Sequence, residues 1–121
     1  MSQSSQKFLV HCQDGANHVE RATISFILAV SASKSCETVV FATSDAATLC
    51  LKGGADQLSA TGYEPLAGLI EAFVGNGGQI WLCPACAKAK GITQDDLRGN
   101  VEIAGAPRIM AYLATGAQVL A

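Results

Sequence analysis

Five short apolar runs, separated by stretches with helical features, constrain the fold of this chain more than anything else in it. They are Lys7–Cys12 (KFLVHC), Glu37–Thr43 (ETVVFAT), Gln79–Leu82 (QIWL), Val101–Ala104 and Ala117–Leu120. They are continuous rather than alternating, as strands covered on both faces are. Between the first two, His18 to about Ser33 predicts a helix with Asn17 as its cap; Val19, Ala22, Phe26, Ile27 and Val30 share one apolar face. Ile24 and Leu28 lie off that stripe, so they are expected either between sheet and neighbouring helix or at a subunit interface. Ser44 or Asp45 would cap a short helix through Ala46 to Leu51, stopped by Gly53 and Gly54. Pro65 opens a helix carrying Leu66, Leu69, Ile70 and Phe73, closed by Gly75-Asn76-Gly77-Gly78. Pro84 to Lys90 reads as a short helix ended by Gly91, Thr93 with Asp96 as a capping box, and Pro107 to Ala114 as the last helix. This alternation predicts an α/β protein: a three-layer α/β/α arrangement around an open, mostly parallel five-stranded sheet.

With 121 residues the chain has room for one domain, expected over residues 7–121 behind a polar, flexible leader at 1–6. Only 15% of residues are charged, against about 25% in an average soluble protein. That leaves little charge to cover a monomer, so burial of an apolar face in a homo-oligomer is expected. A net charge of -2 without a basic run argues against direct nucleic-acid binding. Unbroken apolar stretches such as Phe26 to Val30 are far too short to cross a membrane, and MSQSSQ lacks a signal-peptide pattern. A cytoplasmic location follows as an expectation. There, an odd set of cysteines (Cys12, Cys36, Cys50, Cys83 and Cys86) is not a disulfide framework, and each is either packing or reactive.

The chemistry is expected just beyond the carboxyl ends of the strands, where open α/β sheets gather their ligands. Cys83-Pro84-Ala85-Cys86 stands there. Pro84 suits the first helical position, which puts Cys83 at or beside the N-cap, with the free amides of Ala85 and Cys86 able to face its sulfur. Those donors favour thiolate over thiol, and Lys88 and Lys90 add positive charge with no carboxylate between Glu71 and Asp95. A persulfide on Cys83 would be favoured by the same surroundings. Cys86, at the CxxC spacing, could close a disulfide, hold one edge of a metal site or resolve a sulfur adduct.

Zinc would need four ligands, and His11, Cys12, His18, Cys36 and Cys50 provide no second paired motif. Cys12 ends the first strand and reads first as a buried thiol, the alternative being a second sulfur at the same sheet edge as Cys83 that accepts a persulfide or a disulfide; Cys50 reads as packing, His11 as a satisfied histidine, and Lys52 as solvated. No Walker loop, GxGxxG or Ser-His-Asp set follows a strand, so no cofactor is expected.

Several segments together resemble the DsrE/DsrF-like family, which includes sulfur-relay subunits for tRNA thiolation and the DsrE subunits of sulfur oxidisers. They are Glu20-Arg21-Ala22-Thr23 through Phe26 and Leu28-Ala29 with Val39-Val40-Phe41, Leu51-Lys52-Gly53, Cys83 through Ala89-Lys90-Gly91-Ile92, and Val101-Glu102-Ile103 with Gly105-Ala106. The resemblance spans about residues 7 to 120. It implies that Cys83 bears a persulfide, that Cys86 is an accessory thiol, that sulfur donor and acceptor proteins are the partners, and that the chain assembles as a trimer or hexamer. The expected function is thus an intracellular sulfur carrier or sulfurtransferase, with Cys86 able to release sulfur by forming a Cys83–Cys86 disulfide. The alternatives are a CxxC thiol–disulfide redox module and a non-catalytic oligomeric binding protein whose cysteines only pack.

Overall fold

All five runs form strands in the computed structural model, which describes residues 6–120: β1 (Lys7–Cys12), β2 (Glu37–Ala42), β3 (Gln79–Leu82), β4 (Val101–Ile103) and β5 (Gln118–Leu120). The helices are α1 (Val19–Ser33), α2 (Leu66–Gly75), α3 (Pro84–Ala89) and α4 (Ala106–Ala114). The strands pair in the order β4-β3-β2-β1-β5, and every pair is parallel. The chain steps outward from β1 to β4, and α4 then carries it back to place β5 on the other side of β1.

Strand side chains alternate between faces with period two. Val10, Cys12, Val40, Ala42, Ile80 and Leu82 face a core completed by α1 and α2, including Phe26, Ile70 and Phe73. Leu9, Val39 and Trp81 face the other way, against Ile109 of α4. The result is a three-layer α/β/α fold, with two long helices on one face and a single helix on the other.

Local signals account for most helix ends. At the end of α2, Gly77 has φ +89, and the amides of Gly77 and Gly78 donate to the carbonyls of Val74 (2.9 Å) and Phe73 (3.0 Å), a Schellman closure. Pro65 stands one residue before the first helical residue of α2, and the Thr93–Asp96 capping box is formed.

Four expectations need correction. Asn17 does not cap α1: its Oδ1 accepts the Gly15 amide at 2.8 Å, Ala16–His18 make a 3-10 turn, and α1 begins at Val19 without a side-chain cap. The buried face of α1 is Ala22, Thr23, Phe26, Ala29 and Ser33, while Ile27 is 39% exposed. Small residues let this helix lie close to its neighbours, and the hydroxyls of Thr23 and Ser33 are satisfied by the carbonyls of Val19 and Val30. Ile24 and Leu28 are also exposed rather than enclosed between sheet and helix. Finally, the segment after β2 is a 3-10 helix, Ser44–Cys50, with no side-chain cap. Ser44 has a positive φ of 52, and the Asp45 carboxylate is taken up by Lys90.

The polar leader falls on residues 1–5, outside the described residues, and on Gln6, whose side chain donates to the carbonyl of Gly116 at 3.3 Å. Among the described residues, no helix is long and apolar enough to cross a membrane.

Candidate active site

Cys83 is the first residue beyond β3, and its amide still follows the sheet, donating to the carbonyl of Ala42 at 3.0 Å. Pro84 then fixes the first helical position, and the Cys83 carbonyl accepts the Ala87 amide at 3.0 Å, which makes Cys83 the N-cap of α3. Cys86 consequently occupies the third helical position. An N-cap and an N3 side chain face one another, the relation used by a capping box. The far end of α3 is fixed as firmly: Gly91 has φ +67, its amide donates to Lys88, and that of Ile92 donates to Ala87 at 2.8 Å.

Both sulfurs belong to half-buried residues at the sheet's carboxyl edge. Burial, the largest influence on Cys83, pushes its thiol up, but the Cys86 amide, the Cys86 thiol and the Ala85 amide together bring it below the ordinary value. The Cys83 side chain makes no formed cap hydrogen bond, so the two amides act on it through their field. The expectation that amides and lysine charge favour the thiolate is therefore corrected, because desolvation opposes the amides. Lysine charge is not among the causes. Lys90 is paired with Asp45 at 3.3 Å, and Lys52 donates to the carbonyl of Asp95 at 2.9 Å.

The loop after β2, Thr43 to Asp45, is one of the strand-end segments where chemistry is expected and forms the second wall of the site, through a contact with Cys86 that the sequence does not signal. The Ser44 amide donates to Cys86 Sγ at 3.1 Å. On one side of Ser44, the Thr43 hydroxyl and His11 Nε2 share a hydrogen bond of 2.9 Å; on the other, Asp45 holds Lys90. Nothing local signals this arrangement, since a serine with positive φ lacks the glycine or asparagine that usually advertises one.

The sulfurs of the remaining cysteines have partners other than Cys83 and Cys86, and His11 reaches the site through Thr43. Cys12 and Cys50 are buried with Phe26 and Ile80 around a void too small for water. Burial pushes their thiols up, to about 11 for Cys12 and about 12 for Cys50. Cys36 sits half-buried beside the Ser35 hydroxyl. His11 stacks on Phe41 at 5.7 Å and burial lowers its pKa, which favours the neutral ring. A cleft of about 430 Å³ also opens at the amino ends of β2 and β3, between Glu37, Gln79, Trp81, Arg108 and Tyr112, with the Arg108 guanidinium 4.4 Å from the centre of the indole. Among the described residues, no three His, Cys, Asp or Glu side chains form a group that could hold a metal.

Comparison with known proteins gives the family of the chain and relatives of its fold. The model of the DsrE/DsrF-like family matches residues 6–121. An uncharacterized protein of Methanocaldococcus jannaschii, MJ0760, is 31% identical over 100 residues, which are 82% of this chain but 36% of that protein, so the chain spans about a third of its relative's length. Among solved structures, the YchN protein of E. coli superposes with a TM-score of 0.77 at 22% identity, covering 95% of this chain and 99% of its own. MTH1491 of Methanobacterium thermoautotrophicum superposes with a TM-score of 0.67 at 18% identity, covering 97% and 98%. These two likenesses concern the fold; the family match spans all but the first residues of the sequence, and the chain belongs to the DsrE/DsrF-like family.

Proposed function

We propose that the protein is a sulfur carrier that holds sulfane sulfur as a persulfide on Cys83. The observation that carries the reading is a half-buried thiol at the N-cap of α3 that its surroundings bring below the ordinary cysteine value. The thiolate is the form that attacks sulfur. In the loading step, the Cys83 thiolate attacks the outer sulfur of a donor persulfide, R–S–SH. The donor S–S bond breaks, R–S⁻ departs, and Cys83–S–SH remains. An acceptor thiolate then attacks the outer sulfur of Cys83–S–SH, takes it as a new persulfide, and returns Cys83 as thiolate. No electrons are gained or lost overall. The family's link to sulfur relay supports this reading, and it makes donor and acceptor proteins the partners.

Assembly with further copies of the chain, as a trimer or hexamer in the cytoplasm, belongs to the same reading. The exposed Ile24, Ile27 and Leu28 on one helix are the kind of surface such assembly would cover. The CxxC register also suits a dithiol–disulfide couple, which would show a measurable reduction potential for Cys83 and Cys86. Incubation with a polysulfide donor tests the carrier: wild-type protein gains the mass of a sulfur atom and gives it up to a small thiol, whereas Cys83→Ser gains none. No gain in the wild type, or an equal gain in Cys83→Ser, rejects it.

A further inference from the structure

Cys86 is more constrained than an accessory thiol needs to be. Its sulfur receives the Ser44 amide at 3.1 Å across the gap between two elements. That amide is aimed by a backbone conformation uncommon for a residue other than glycine, φ 52 at Ser44. The conformation is held from both sides, by the Thr43–His11 bond and the Asp45–Lys90 pair. A third contact closes the loop from below: a Cβ at Gly15 would lie 2.4 Å from the Asp45 carbonyl oxygen, so glycine is what lets that segment lie against it. Unusual backbone persists where its surroundings over-determine it, and such places cluster at functional sites.

We propose that Cys86 is a positioning residue for Cys83: the Ser44 amide occupies a lone pair of Cys86 Sγ and fixes its rotamer, leaving the Cys86 S–H free to point at the Cys83 sulfur. The chain Ser44 N–H, Cys86 S–H, Cys83 Sγ supplies a hydrogen bond to whichever anionic sulfur Cys83 carries, thiolate or persulfide. Cys86 acts without forming or breaking a covalent bond, in contrast to a resolving thiol. The N-cap and N3 places of the two cysteines on α3 set their side chains toward one another across one turn, and the Cys86 thiol is among the groups that favour ionised Cys83. Charges close by are engaged elsewhere: Lys90 with Asp45, Lys52 on a carbonyl, His11 on Thr43, while Lys88 is exposed on α3. This inference rests on the reading of Cys83 as the sulfur-bearing atom.

The test compares wild type, Cys86→Ala and Cys86→Ser by the pH midpoint of Cys83 alkylation and by hydrogen exchange of the Ser44 amide. Serine keeps a donor on a short side chain but cannot make a disulfide. The alanine variant should raise the Cys83 midpoint by about half to one unit, a threefold to tenfold loss of thiolate at neutral pH. The serine variant should stay nearer to wild type than to alanine. The Ser44 amide should exchange faster in Cys86→Ala than in wild type. An unchanged midpoint in Cys86→Ala, equal shifts in both variants, or equal Ser44 exchange overturns the proposal. Sulfur loading is scored separately: if wild type never loads, the carrier reading fails, while the midpoints still decide whether Cys86 positions Cys83.

Discussion

Native-state alkylation should divide the cysteines sharply, and the structure sets the size of the division. The thiols of Cys12 and Cys50 are pushed to about 11 and about 12 by burial, from an ordinary value of 9.0. At neutral pH those shifts leave about a hundredfold and about a thousandfold less thiolate than an unperturbed cysteine has. Both residues are only 1% exposed, so reagent must also wait for local opening of the core. Cys83 is moved the other way and is half-buried at the edge of the sheet. A timed iodoacetamide pulse at pH 7.5, quenched and resolved by peptide mass spectrometry, should therefore label Cys83 first, and Cys12 and Cys50 at least about a hundredfold more slowly. Labelling of Cys12 or Cys50 at a rate within tenfold of Cys83 would refute the assignment of those two thiols to the core.

The same shifts make stability depend on alkaline pH. An unfolded chain ionises its thiols from 9.0, whereas the folded chain keeps Cys12 protonated to about 11 and Cys50 to about 12. The folded state thus binds more protons in that window, and stability falls as pH rises through it, by about 1.4 kcal/mol per pH unit for each thiol. In urea melts between pH 9 and 10.5, where the unfolded thiol goes from half to nearly fully ionised, Cys50→Ala should show a fall shallower than wild type by about 1 kcal/mol per pH unit, and identical slopes would contradict it. At Gly78, a methyl group would lie 2.3 to 2.6 Å from ring atoms of Phe73, a fully buried side chain packed edge-on against Phe26. Gly78→Ala should therefore cost about 1–3 kcal/mol of stability by overpacking, and an unchanged denaturation midpoint would count against this. Arg108→Ala, in the cleft at the other end of the strands, should leave sulfur loading at the wild-type level; lost loading in a folded variant would show that the two ends are coupled.

What could be read from the sequence was what short-range physics writes there. Runs such as KFLVHC and QIWL announce doubly covered strands because Phe8-Leu9-Val10 and Ile80-Trp81-Leu82 are apolar in succession, so neither face is left to solvent at their centres. The bounds of α3 are equally local: Pro84 fits only its first turn, and Gly91 supplies the positive φ of its closing motif. The same reasoning places Cys83 at the N-cap and Cys86 one turn in. The loop facing them lies at a strand end where chemistry is expected, but its arrangement was hidden, because Thr43, Ser44 and Asp45 owe it to His11, Cys86 and Lys90, each 32 residues or more distant in the chain. Burial at Cys83 was hidden for a similar reason, since desolvation depends on everything packed around a group. On α1, hydrophobicity pointed to Ile27, but close packing selected the small residues Ala22, Thr23 and Ser33 for the covered face.

The account turns on which atom takes up sulfur. Protein treated with a polysulfide, capped with an alkylating reagent that preserves persulfides, and digested should yield the extra sulfur on the peptide containing Cys83, assigned by fragmentation to that residue. Sulfur found on Cys12, Cys36 or Cys50, or spread evenly over all the cysteines, would contradict it.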